Sequence, residues 1–135
     1  MCIRDSGYTV AMICGLGIDS IELARVRRVH AEYGARFLDR ILTAAEQEYV
    51  ARWADPVPRI AGRFAVKEAC MKALGTGWGA GVRWRDIEVR RHPSGKPVVE
   101  LHGRAQEICS ALGGSVVHCT ITHNEEHAMA VVVIE

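Results

Sequence analysis

The sequence predicts a small α+β domain in which an antiparallel sheet packs against one long central helix. Three observations carry this. From Pro58 to Leu74, Ile60, Phe64, Met71 and Leu74 recur at three- to four-residue steps, the spacing of a buried helical stripe. Short apolar runs with strand character stand around that helix, at Met12–Ile18, Ile87–Val89, Val99–Leu101, Val116–Thr122 and Ala128–Ile134. Two pairs of consecutive runs are joined by turn-like segments, His92–Pro97 and His123–His127, so those pairs fold back on themselves.

Size and composition bound the rest. A chain of 135 residues is one domain with a modest core, which self-association would help stabilise. Net charge is +1 and no apolar run is long enough to span a membrane. The five cysteines are scattered without a C-x-x-C pair, so neither a zinc site nor a disulfide framework is expected. Cys70, Cys109 and Cys119 fall within apolar patterns as small core residues, and a reducing cytoplasm is the expected location. The N-terminus lacks the basic-then-apolar layout of a secretory signal. Residues 1–11 show no period and are read as a poorly ordered leader, with the domain proper at 12–135.

In chain order, Met12–Ile18 is a strand that Asp19 ends, and Asp19 or Ser20 caps a helix from Ile21 to about Tyr33. Gly34 stops that helix. Phe37, Leu38, Ile41 and Leu42 form a helical turn. Thr43 and Glu46 make a capping box that opens a helix to about Trp53. Asp55–Pro58 breaks the chain, and Pro58 suits the first turn of the central helix. Gly75, Gly77, Gly79 and Gly81 follow it. The Ile87 and Val99 strands pair, Gly103–Leu112 is helical up to Gly113-Gly114, and the last two strands form a hairpin.

The central helix carries a second stripe, Ala61, Ala65, Glu68 and Lys72, whose small residues clear room beside a carboxylate and an ammonium four apart. Read alone, that pair is surface decoration worth roughly 0.2–0.5 kcal/mol or part of a site. Gly75 reads as a helix cap or as backbone that a ligand can approach. Because the loop follows a helix, the dipole has the wrong sign for an anion, which would need cations or a metal. Asp19 reads as a cap or as a metal ligand at a strand end. Five arginines lie between Arg25 and Arg40, either as a solvated face or as a dock for an acidic partner. Aromatic residues are not interleaved with them, which argues against a nucleic-acid platform.

Taken together, these residues resemble a specific family. Gly15-Leu16-Gly17-Ile18-Asp19, Phe37 with Arg40-Ile41-Leu42-Thr43 and Glu46, Arg63-Phe64-Ala65-Val66-Lys67-Glu68-Ala69 with Lys72-Ala73 and Gly75-Thr76-Gly77, Asp86-Ile87-Glu88-Val89, Gly95-Lys96-Pro97 and Ile121-Thr122-His123 follow in order. This set resembles holo-acyl-carrier-protein synthases, the small bacterial type of 4′-phosphopantetheinyl transferase, from about Met12 to Glu135.

The resemblance implies a half-fold of the 4′-phosphopantetheinyl transferase type and a reaction. The 4′-phosphopantetheine group moves from coenzyme A to a serine of an acyl carrier protein, with Mg²⁺, releasing adenosine 3′,5′-bisphosphate. By position it assigns Asp19 and Glu68 to the metal, and Glu68 and Lys72 to catalysis. Lys72, Arg63, Gly75, Gly77 and His123 fall to coenzyme A, and Arg25, Arg36 and Arg40 to the acidic carrier. It also implies a homotrimer with sites at subunit contacts, since larger relatives carry two such halves in one chain. No nucleic acid or membrane is implied. Thr120, where many relatives have serine, and the bulky Trp78 in the glycine loop are departures that remove no ligand.

Overall fold

A computed structural model describes residues 3–5, 8–10, 12–77 and 79–135. Trp78, the bulky residue of the glycine loop, lies outside them. Strands β1 (Ile3–Asp5) and β2 (Tyr8–Val10) pair antiparallel within the stretch read as a poorly ordered leader. No periodicity in the sequence announces them.

The domain then runs β3 (Gly15–Glu22), α1 (Leu23–Tyr33), α2 (Ala35–Ile41), α3 (Ala44–Val50), α4 (Val57–Leu74), a 3-10 turn (Trp84–Asp86), β4 (Ile87–Arg91), β5 (Pro97–Leu101), α5 (Gly103–Ala111), β6 (Val117–His123) and β7 (His127–Ile134). Strands β3, β7 and β6 form an antiparallel sheet in that order, and β4 and β5 form a separate hairpin. The expected α+β class and the long central helix are both present. No described helix is long and apolar enough to cross a membrane.

One face of the three-stranded sheet covers α4. Ala128, Ala130, Val132 and Ile134 alternate inward along β7 and are buried against Ile60, Ala61, Ala65 and Ala69. Strand β3 lies closer still. A Cβ on Gly17 would stand 1.8 Å from the Ala69 carbonyl oxygen, and one on Gly15 would stand 2.2 Å from that of Ala73. The two backbones therefore touch, and only glycine allows it.

The strand boundary differs from expectation. Asp19 and Ser20 do not cap a helix; β3 continues through both to Glu22, which precedes α1 without a side-chain cap bond. The ladder to β7 runs without a break from Gly15↔Ile134 to Glu22↔His127. Each added rung satisfies backbone groups that a cap would leave to one side chain, so the strand prevails. Asp19 thus sits within the strand, opposite Ala130, on the face turned to α4.

The Thr43–Glu46 capping box forms as expected, with Thr43 Oγ1 accepting from Glu46 N at 3.2 Å and Glu46 Oε1 accepting from Thr43 N at 2.8 Å. Glu46 does more. The fully buried Lys67 Nζ donates to Glu46 Oε1 at 2.9 Å, to the Trp84 carbonyl at 3.1 Å and to the Ile87 carbonyl. Val89 N donates to Glu46 Oε2 at 3.0 Å. One buried ion pair therefore joins α3, α4, the 3-10 turn and β4, with its remaining donors and acceptors filled. Beside it, Phe64 stacks on Trp84 with ring centroids 4.9 Å apart.

Candidate active site

The close seat of β3 on α4 brings Asp19 and Glu68 together. They line one pocket of about 230 Å³ with Arg25, Phe64 and His127. Lys72, one turn further along α4, crosses to the strand: its Nζ donates to Asp19 Oδ1 at 3.2 Å and to the Ile18 carbonyl at 2.9 Å. Among the described residues no ion pair joins Lys72 to Glu68, so the surface-pair reading is replaced by a link between helix and strand. Burial raises the Glu68 carboxyl above the usual carboxylate range, and the Asp19 charge raises it further. Lys72 and Arg25 offset part of this. Two carboxylates in a small polar cleft, one with a raised pKa, form a donor set suited to a hard divalent cation.

Arg63 and His123 lie elsewhere. At about 100° per residue, Arg63 points roughly 140° away from Glu68 and 180° away from Lys72 around α4. It lines a different pocket, of about 210 Å³, with Tyr49, Arg59, Arg91 and His123. The Arg63 guanidinium lies 4.0 Å over the Tyr49 ring and donates to the Arg59 carbonyl at 3.4 Å. Burial lowers its pKa, and its buried Nε has no partner among the described residues. Three guanidiniums around a cleft with an unpaired buried donor suit a phosphate.

Gly75 caps α4 in the left-handed region with φ 77°, its N–H bonded to the Lys72 and Met71 carbonyls. Gly77 shares that conformation at φ 53°. They stand three and five residues after Lys72. Arg25 belongs to the acidic pocket, while Arg36 and Arg40 line a groove of about 460 Å³ with Val29, Tyr33 and Phe37 on α1 and α2. Of the arginine run, Arg27 is held by a two-pronged bond to Asp55 at 3.1 and 3.0 Å.

Sequence reading missed several participants. Phe64 was read only as core, and His127 only as part of a hairpin; both line the acidic pocket. Arg59 stands one helical turn before Arg63, a visible signal. Tyr49 and Arg91 arrive from α3 and β4, which no local pattern predicts. A further group, Glu88, Glu100 and His102, brings three donor atoms within 4.8 Å. Arg90 Nε lies 3.3 Å from Glu88 and also pairs with Glu100, and Thr43 Oγ1 donates to Glu88 at 2.8 Å. Both Glu88 oxygens are already engaged, by Thr43, Arg90 and His102, whereas the Glu68 carboxyl makes no hydrogen bond among the described residues, so the Asp19–Glu68 pocket is the better cation site.

The comparisons with known proteins bear on the family and the fold. The family profile described as the 4′-phosphopantetheinyl transferase superfamily matches residues 15–132. Holo-[acyl-carrier-protein] synthases of Koribacter versatilis and Maridesulfovibrio salexigens are 46% and 47% identical over 124 residues, covering 92% of this chain and 99% of each relative. The crystal structure of the synthase from Neisseria meningitidis superposes with TM-score 0.84 at 35% identity, covering 92% of this chain and 99% of that one. That of the Bacillus anthracis enzyme, in complex with CoA (3′,5′-ADP), gives 0.78 at 39%, covering 93% and 98%. A match of this length, at this identity and over a shared fold, means that the chain belongs to the 4′-phosphopantetheinyl transferase superfamily, within its holo-[acyl-carrier-protein] synthase family.

Proposed function

We propose that this chain transfers the 4′-phosphopantetheine group from coenzyme A to a serine hydroxyl of an apo-acyl carrier protein, with Mg²⁺, releasing adenosine 3′,5′-bisphosphate. The observation that carries the reading is the meeting of Asp19 and Glu68, far apart in the chain, in one pocket with Lys72 at Asp19. Their carboxylates would hold Mg²⁺, which when bound supplies positive charge beside the diphosphate. The Lys72 ammonium, with its side chain 54% exposed, can turn from Asp19 toward a phosphate oxygen. Glu68, its proton affinity raised by burial, takes the serine proton as the serine oxygen bonds to phosphorus. The opposite P–O bond breaks, and its electron pair leaves with the adenosine bisphosphate. The Arg59–Arg63–Arg91 cleft with His123 holds a coenzyme A phosphate.

That cleft and the acidic pocket open on different faces of α4, so one chain does not complete one site. The outer face of β3 and β7 suggests the remedy. Leu16 and Ile18 are 65% and 54% exposed and stand opposite Val133 and Val131, beside Met129 at 40%. A contiguous apolar face of this kind marks an interface. A homotrimer would cover it and bring one copy's His123 cleft against its neighbour's Glu68. Burial pushes the Cys70 thiol up to about 12 and the Cys119 thiol up to about 11, which fits small core residues in a reducing cytoplasm.

Mixing the chain with apo-carrier, coenzyme A and Mg²⁺ is expected to raise the carrier's mass by one phosphopantetheine group, read by mass spectrometry. An unchanged carrier mass rejects the activity. For the shared site, Glu68→Gln and His123→Ala chains are co-expressed and purified together. Mixed assemblies should regain activity that neither parent has, whereas activity at the parental mean would place each site within a single chain.

A further inference from the structure

We propose that Arg83 and Arg85, which flank the 3-10 turn's Trp84, are a second arm of the carrier-protein docking surface and help determine which carriers are accepted. This rests on the transferase reading above. The two arginines line a groove of about 520 Å³ with Arg40, Trp84, Asp86 and His102. The groove's acidic groups are already engaged. Asp86 is buried, accepts from Arg83 N at 3.0 Å and pairs with the Arg83 guanidinium at 3.5 Å. His102 is bonded to Glu88 at 3.0 Å. Arg83 nevertheless keeps 82% of its side chain exposed, and among the described residues Arg40 and Arg85 form no ion pair. The groove therefore presents a surplus of positive charge, and its occupant must be acidic.

Position selects the occupant. Arg40 is a wall of this groove and also of the Arg36–Phe37 groove on α1 and α2, so the two surfaces are continuous. At the inner end, Trp84 stacks on Phe64, which lines the Glu68 pocket. An acidic protein with its serine at Glu68 and its acidic surface along Arg36 and Arg40 is carried on to Arg83 and Arg85. Coenzyme A phosphates have the separate Arg59–Arg63–Arg91 cleft. A nucleic acid would need an open aromatic face, but Trp84 is 7% exposed and stacked on its inner side.

The test is steady-state kinetics of an Arg83→Glu/Arg85→Glu double variant of the full chain. Apo-carrier is varied at saturating coenzyme A, then coenzyme A at saturating carrier. The expected result is a KM for carrier raised about tenfold, with kcat and the KM for coenzyme A within about twofold of wild type. The salt dependence of kcat/KM for carrier should flatten. Arg83→Ala/Arg85→Ala, which adds no charge beside Asp86, should give a smaller rise in the same direction. An unmoved carrier KM in both variants overturns the proposal, and a rise confined to coenzyme A reassigns the groove to the nucleotide. A wild-type chain that leaves the carrier unmodified overturns the transferase reading and this one with it; an active wild type with unaltered variants overturns this one alone.

Discussion

Glu68→Gln is expected to lower kcat by about 10²–10⁴-fold, the range for loss of a positioned general base. The KM for carrier should change little, because the arginines that line the α1–α2 groove are untouched. The same substitution should stabilise the metal-free protein at neutral pH. Burial and Asp19 raise the Glu68 pKa in the folded state, so between the unfolded and folded values the native protein holds a proton that the unfolded chain releases. The stability linked to that proton is fully present below the ordinary glutamate value of about 4.3 and is lost as pH rises through the folded value. Glutamine escapes the loss. Melting in a chelator should therefore favour the variant near pH 7–8, with the gap closing toward pH 4. Near-normal turnover with Mg²⁺ still bound would end the base assignment. Equal melting at pH 7.5 would mean that the pocket does not penalise the charge.

Gly17→Ala should be among the most damaging single-methyl changes in the chain. The added carbon would stand 1.8 Å from the Ala69 carbonyl oxygen, a backbone atom, and a Cβ has no torsion by which to turn away. Strand and helix must part, at about 3 kcal/mol, the upper end of ordinary overpacking costs. Asp19 lies two residues on, so separation also pulls it from Glu68 and activity should fall with stability. Urea unfolding measures the first and carrier mass the second. An unchanged urea midpoint would show that the backbones yield without loss.

How much of this was legible in the sequence depends on how local the cause is. The Thr43–Glu46 box is a four-residue event and formed as read. The α4 stripe and the β6–β7 hairpin are periodic and were read correctly in kind. Asp19 was misread as a strand end because its fate depends on β7, more than a hundred residues later, whose ladder carries β3 past it. The second service of Glu46, as partner to a buried lysine, is likewise a tertiary fact that a capping motif conceals. Arg63 and Glu68 stand five apart on one helix, so their divergence was readable from helical geometry alone. Tyr49 and Arg91, which complete the cationic cleft, were not readable, since only packing brings α3 and β4 to it.

Along Gly15, Leu16, Gly17 and Ile18 the strand has no side chain on one side and a large apolar one on the other. The helix that bears Glu68 is thus one peptide's thickness from the outer surface, with no compressible layer between. Whatever leans on Leu16 and Ile18 leans in effect on the floor beneath Glu68. A neighbour seated there would act as a backstop for the chemistry, and its loss would be felt at the acidic pair before any bond to substrate is made.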